Sequence, residues 1–321
     1  MSSTASLKCG NPACNTPEGS STLLKCTRCR KEIYCSKECQ AAQWSSHKNN
    51  CRRQNYIIRV QVAPDYIKNP AVTRVLSCPA DAPFYFLHLA LQTAFGWAST
   101  HSFDFAIPNP DYEEPTSITE VIQRRMALGS SGVNTDPSSP QGYLFRIIDP
   151  VEQTAFSGID RMHEGIRTHP KTLQKKASSY KLYQLFEDTK YRDKDIIYTY
   201  DFGDNWEHYI TIEGRTDATE DFICLDGTGH CIAEDAGGVR GWEEVKAAYC
   251  AGNPTHEQLE KRDWFEHIAS NADPQGLAGD RVNAFDRDRV NRNLTNMLER
   301  FSSMADESSR RIASMYQKLL P

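Results

Sequence analysis

Seven cysteines and one histidine between residues 9 and 51 constrain this chain more than any other feature. They fall as four pairs: Cys9-x4-Cys14, Cys26-x2-Cys29, Cys35-x3-Cys39 and His47-x3-Cys51. Of the eleven cysteines, only Cys78, Cys224, Cys231 and Cys250 lie elsewhere. An odd number of clustered cysteines completed by a histidine fits zinc better than disulfides, all the more in a chain whose start lacks a secretion signal. Zinc takes four nitrogen or sulfur donors, so eight donors satisfy two ions and leave no coordination position open to a substrate. Two structural zinc ions are the expected cofactors. Spacing alone leaves open which pairs share an ion. No Gly or Pro interrupts Glu38 to Cys51, and the Cys35/Cys39 and His47/Cys51 spacings would set each pair on one helical face, so short helices are expected to hold the later donors.

Charge divides the chain in the same place. Residues 1–54 carry nine Lys/Arg against three Asp/Glu, leaving 28 against 39 for the remainder, a balance of +6 followed by −11. Seven zinc-bound thiolates and two Zn²⁺ ions subtract about three charges from the first part, because ligating cysteines are deprotonated. An acidic body argues against broad phosphate-backbone binding, so nucleic acid is the less favoured partner and protein the more favoured one. No stretch approaches the roughly 20 uninterrupted apolar residues of a membrane span, and the Ser/Thr-rich start has no signal-peptide pattern. An intracellular protein of the cytoplasm, the nucleus or both is expected, with no membrane partner. Its length accommodates a small module and a main domain, with a boundary near residues 52–56.

The run Ile33-Tyr34-Cys35-Ser36-Lys37-Glu38-Cys39-Gln40, followed by Trp44 and His47-Lys48-x-x-Cys51, resembles the MYND finger. The resemblance spans about residues 9–51 and implies interleaved pairs: Cys9, Cys14, Cys35 and Cys39 on one zinc, Cys26, Cys29, His47 and Cys51 on the other. The first pair is wider than the two-residue gap common in that family. MYND fingers are peptide-docking modules, often for proline-containing segments, so the resemblance implies a protein or peptide partner. Gln40 and Trp44 are the candidates for lining its groove. Packing against the zinc core is the competing role for Trp44, since so small a module has few apolar residues to bury. The competing role for the whole finger is a knob that docks the main domain.

Past Arg53 the pattern is that of an α+β domain. Tyr56-Ile-Ile-Arg-Val-Gln-Val62 alternates as a strand, and Val72 to Cys78 reads as a second. Pro83 opens an apolar helix that Gly96 closes. His101 to Ile107 and Gly142 to Ile148 read as further strands, with Leu128 to Gly142 a flexible loop between them. Asp195 to Ile212 reads as a hairpin with the polar tip Asp201-Phe-Gly-Asp-Asn-Trp206; Phe222 to Leu225 follows as a strand and Gly241 to Tyr249 as a helix. Helical spacing returns at 256–269 and from Val290 onward. The expected division is a disordered N-terminus (1–8), the finger (9–51), the α+β domain (56–250) and C-terminal helices (255–321).

Four blocks of the body, Leu87-His88 to Phe95-Gly96-Trp97, His101-Ser-Phe-Asp-Phe, Tyr198-Thr-Tyr-Asp-Phe-Gly-Asp-Asn-Trp-Glu-His208, and Glu234-Asp235-Ala-Gly237-Gly238 with Gly241-Trp242-Glu243, resemble the plasmid pRiA4b ORF-three-like domain. That resemblance covers roughly 56–250 and implies an architecture, not an activity. Relatives often carry prolines before the Glu-Asp pair and sometimes a cysteine after it, where this chain has Ile232-Ala233 and Ala236.

Asp201, Asp204, Glu207, His208, Glu234 and Asp235, joined by His101 and His88, could gather around one pocket and hold a hard divalent cation or run acid/base chemistry. The competing account has Asp201 and Asp204 bonding backbone donors of a tight turn, Glu234-Asp235 capping the next turn or helix, and His88 packed in the core. Cys224, His230 and Cys231 offer three soft donors without an evident fourth. No phosphate loop, nucleophile elbow or His-Glu-x-x-His motif is present. The sequence therefore favours a zinc-binding adaptor and leaves catalysis undecided. A metal-dependent enzyme, such as a hydrolase using Asp201, Asp204, His208, Glu234 and Asp235, stands second, and a nucleic-acid-associated protein third.

Overall fold

A computed structural model describes residues 8–15, 23–128, 133–149 and 159–297. The expected disordered N-terminus lies outside these except for Lys8, as do part of the 128–142 loop and the helical pattern beyond Met297.

The finger has two antiparallel two-residue strands, β1 (Leu24–Lys25) and β2 (Ile33–Tyr34), followed by one helix, α1 (Lys37–His47). Ser36 starts that helix, its Oγ accepting the Cys39 N–H at 3.2 Å. Only Cys39 and His47 lie on it; Cys35 precedes it and Cys51 follows it. The expected helical i,i+4 pairs are therefore replaced by one helix that gives a donor to each site. Eight residues separate the two donors, an axial rise of about 12 Å.

The body is built on β3 (Asn55–Val62), β4 (Thr73–Cys78), β5 (Phe103–Pro108), β6 (Tyr143–Ile148), β7 (Leu173–Lys176), β8 (Ile196–Tyr200), β9 (Trp206–Thr216) and β10 (Ile223–Thr228). They form one eight-stranded sheet in the order β10-β4-β3-β9-β8-β5-β6-β7, antiparallel except for the β6–β7 pair. The helices are α2 (Phe84–Phe95), α3 (Ile118–Ala127), α4 (Ile159–Arg167), α5 (Leu182–Phe186), α6 (Gly238–Cys250), α7 (His256–His267) and α8 over 287–297. The fold is α+β, with none of the described helices long and apolar enough to cross a membrane.

Alternation along β3 buries Tyr56, Ile58, Val60 and Val62, and the sheet face they share is covered by α2. That helix is apolar nearly all round, with Phe84, Leu87, Ala90, Leu91, Ala94 and Phe95 all buried, so it sits as the core's central element. It ends at Gly96 in the left-handed region (φ 74°), where an added Cβ would stand 2.7 Å from the Cys231 sulfur. Only glycine fits there.

The same alternation places Asp104 and Arg146 on the opposite face, where both are fully buried. Arg146 and Arg167, the latter from α4, both donate to the Asp104 carboxylate, and Arg146 also forks onto Glu164 with two contacts of 2.9 Å. Thr199, opposite Asp104 on β8, accepts a further Arg167 N–H at 3.0 Å. The network ties α4 to the sheet through charge-assisted bonds where the α2 face uses apolar contact.

Candidate metal centres and the polar cluster

The finger brings its eight donors into two groups: Cys9, Cys14, Cys35 and Cys39, and Cys26, Cys29, His47 and Cys51. Within each, every donor atom lies within 4.8 Å of the others. In the first, Cys35 Sγ lies 3.4 Å from both Cys14 Sγ and Cys39 Sγ, and the Cys35 N–H donates to Cys9 Sγ at 3.4 Å. In the second, Cys26 and Cys51 sulfurs are 3.6 Å apart, as are Cys29 Sγ and His47 Nε2. Disulfides need about 2.05 Å, so none of these sulfurs is bonded to another. A tetrahedron with arms of about 2.3 Å to sulfur and 2.0 Å to nitrogen has edges of roughly 3.5–3.8 Å, close to the separations found. The sites fit zinc, and the wide first pair still brings Cys9 and Cys14 into one donor group. Burial, together with the neighbouring Cys26 and Cys29 sulfurs, pushes the Cys51 thiol up, so a cation is needed to hold the full set as thiolates.

Zinc donors account for most of the finger's interior: Cys26, Cys29 and Cys51 are buried around Tyr34. Trp44 packs edge-on against the His47 ring with centroids 5.8 Å apart, yet it remains 41% exposed. Gln40, one turn earlier on α1, is partly buried. The two side chains share a helical face, as i,i+4 spacing dictates.

The basic finger faces the acidic body directly. Arg28 and Arg53 approach Asp81, Lys31 pairs with Asp217 at 2.8 Å, and Arg52 pairs with Glu220 at 2.7 Å. Arg53 also reaches Glu187 at 2.9 Å. These contacts border a cleft of about 650 Å³ between the modules, with Pro83 and Phe86 in its wall. Among the cations at the zinc sites, Arg28 and Lys31 thus serve the body, whereas Lys25 and Arg30 have no acidic partner among the described residues.

The body's polar blocks divide. His101 Nε2 lies 3.0 Å from Asp235 Oδ1, 3.8 Å from Asp201 Oδ2 and 3.9 Å from Glu234 Oε1. Asp201 opens the β8–β9 turn in the left-handed region (φ 55°), and its Oδ1 accepts the N–H groups of Gly203 at 2.8 Å and Asp204 at 3.2 Å. Burial raises its carboxyl group above the usual range, against the opposing pull of His101 and those two N–H groups. Glu234 is fully buried and accepts from Ala98 N–H, Thr100 Oγ1 and the Tyr200 hydroxyl. It therefore pins the loop from α2 to His101, not the start of α6 as expected. Asn271 fastens the same region, accepting the Glu234 N–H and donating to the carbonyls of Gly96 and Ile232.

Asp204 and His208 leave the cluster. Asp204 Oδ2 accepts the Gly237 N–H at 3.0 Å, joining the hairpin tip to the start of α6. His208 is fully buried on β9; its Nε2 accepts from Trp97 Nε1 at 3.2 Å, and Nδ1 donates to the Trp206 carbonyl at 2.9 Å. Both ring nitrogens are occupied, and burial pushes the imidazole down to about 4, so it stays neutral and structural. Glu207 lies in a different cleft, with Tyr209 and Asn205. His88 stacks on Phe103 with centroids 3.6 Å apart and takes the Tyr198 hydroxyl at 2.8 Å. Nor do Cys224, His230 and Cys231 assemble as a donor set: His230 Nε2 faces Asp273 at 2.9 Å, Cys224 Sγ faces the Asp226 carbonyl, and Cys231 lies against Arg74.

Residue pattern alone does not reveal the Asp104–Arg146–Arg167–Glu164 network, although Asp104 sits inside the His101-Ser-Phe-Asp-Phe block. Its signal was a charged residue at the centre of an otherwise apolar strand, with another, Arg146, in the next. Beside it opens a polar cleft of about 450 Å³ lined by Tyr143, His163, Arg167, Phe202 and Tyr209.

Comparison with known proteins matches residues 8–51 to the MYND finger and residues 55–293 to the plasmid pRiA4b ORF-3-like protein family. The chain is 28% identical over 211 residues to an uncharacterized protein, y4hQ, of Sinorhizobium fredii, a match spanning 65% of this chain and 80% of that one. A protein of unknown function from Methanosarcina mazei, MM3350, aligns in structure with a TM-score of 0.45 at 22% identity, over 74% of this chain and 96% of its own. With its family profile matched across most of its length, the chain belongs to the plasmid pRiA4b ORF-3-like family and carries a MYND finger ahead of that domain.

Proposed function

We propose that the protein is an intracellular adaptor, cytoplasmic or nuclear, whose finger docks an extended peptide of another protein on the Gln40/Trp44 face of α1. The observation that carries this reading is Trp44: a large apolar ring left 41% exposed on a module whose donor sets are closed. Closed sites support a structural metal rather than a catalytic one. A two-lobed finger with almost no core offers a shallow groove and short strand edges, which suit a peptide better than a folded surface. Proline-containing segments fit best, because their preset backbone loses less freedom on binding. Lys25 and Arg30 favour acidic residues flanking the segment and chiefly speed encounter. The body carries the finger through the ion pairs of Arg28, Lys31, Arg52 and Arg53 and supplies a second docking surface.

Fluorescence anisotropy with labelled proline-containing peptides, acidic-flanked or neutral, tests this on the full zinc-loaded chain. A dissociation constant on the order of micromolar is expected. The Gln40→Ala/Trp44→Ala variant, with zinc content unchanged, should lose that binding. Equal affinity in the folded variant removes this face as the docking site.

A further inference from the structure

We propose that His101 Nε2, Asp201 Oδ2 and Asp235 Oδ1 bind a divalent first-row transition metal ion in the body, separate from the two zinc sites of the finger. The three atoms lie within 4.8 Å of one another, and two of the separations are 3.0 and 3.8 Å. Donors held by one ion at about 2.1 Å stand roughly 3–4 Å apart, so little adjustment is needed.

Two further observations point to a cation. First, Asp201 is only 4% exposed, and while its Oδ1 is satisfied by two backbone N–H groups, its Oδ2 accepts no hydrogen bond from the described residues. Instead it is aimed at His101 Nε2, which already stands at hydrogen-bond distance from Asp235. A carboxylate so largely withdrawn from water keeps its charge at less cost when something positive faces it. Second, three carboxylates converge on one imidazole, and no Lys or Arg among the described residues pairs with any of them. Asp104, a buried carboxylate outside this cluster, has two arginines.

The donors are also held before any ion arrives. Hydrogen bonds fix the Asp201 turn, Glu234 pins the loop before His101, and Ser270 Oγ donates to Asp235 Oδ2 at 3.2 Å. Glu234, with both oxygens engaged, adds negative charge beside the site instead of a ligand. One imidazole and two carboxylates suit Mn²⁺, Fe²⁺ or Zn²⁺ better than Ca²⁺ or Cu⁺. Half-exposed Asp235 leaves the ion open to solvent, so water or a ligand oxygen can complete its shell.

The test is Mn²⁺ titration of the full zinc-loaded chain, following the free-ion signal by electron paramagnetic resonance, with zinc measured in parallel. One equivalent of Mn²⁺ should bind while two zinc ions stay in place. Asp201→Asn and the better-exposed Asp235→Asn should each weaken binding by at least about tenfold. Asp204→Asn should bind as wild type does, because Asp204 faces Gly237. A third zinc that blocks Mn²⁺ in the wild type and is lost from Asp201→Asn also supports the site. Mn²⁺ left free with only two zinc ions per chain overturns it, as does equal Mn²⁺ affinity in folded Asp235→Asn.

Discussion

Replacing Asp104 by asparagine removes one charge and almost no volume, yet it should be among the most damaging single changes in the body. Asp104 Oδ2 receives Arg146 Nε at 2.7 Å and Arg167 Nε at 3.0 Å, and Oδ1 receives Arg167 Nη2 at 2.8 Å. Without the charge, Arg146 keeps Glu164, while Arg167 retains Thr199 as its hydroxyl partner. The new amide turns its own N–H groups toward guanidinium donors. Breaking one side of a buried ion network costs about 3–5 kcal/mol, a large part of a typical stability of about 5–15 kcal/mol. At roughly 2–4 °C per kcal/mol for a domain of this size, the melting temperature should fall by about 10 °C. Tryptophan fluorescence reads the body's transition, because four of the five tryptophans lie there. The effect should also depend on pH in one direction. Burial opposes ionisation of Asp104, but the Arg167 and Arg146 charges outweigh it and hold its carboxyl below 3.8. A carboxylate depressed in the folded state stabilises above its unfolded value and loses that contribution as pH falls through the folded one. The gap between wild type and Asp104→Asn should therefore be full at neutral pH and shrink below pH 3.8. A loss under about 1 kcal/mol at neutral pH refutes the claim that this charge organises the α4 face.

Other perturbations report on separate parts of the molecule. Cys26→Ser should unfold the finger and release its zinc while the body's melting transition shifts by less than about 2 kcal/mol, since the modules meet through partly exposed ion pairs; loss of the body's cooperative transition would show one shared core. His88 and His208 are held neutral, at about 3 and about 4. The unfolded chain therefore takes up their protons first, so stability is full above pH 6.5 and declines as pH falls toward those values. Imidazole signals from both should stay still in an NMR titration between pH 8 and 5, and an inflection near 6.5 from either contradicts its burial.

Much of this arrangement was legible in the chain itself because it rests on local pattern. The alternation of β3, the Pro83 and Gly96 limits of α2, and the polar tip between β8 and β9 all follow from neighbouring residues. Donor spacing marked all eight finger positions, and resemblance supplied their interleaving, which no single segment encodes. What local pattern misses is long-range pairing. Asp204 and Asp201 stand three residues apart, yet one joins α6 and the other faces His101, because the left-handed turn points them differently. His208, eight residues from Tyr200, alternates into the core and not toward the tip. Asp104 is a single charge within its block, and its partners Arg146 and Arg167 lie 42 and 63 residues away in the chain.

The docking face on α1 depends on eight side chains of the finger holding two closed zinc sites. Native mass spectrometry of the full chain, dialysed to strip weakly held ions, weighs that directly. Two zinc ions per chain are predicted for the wild type, both retained in the Gln40→Ala/Trp44→Ala variant. One ion or none in folded wild-type protein contradicts the paired tetrahedra, and with them the docking module built on their frame.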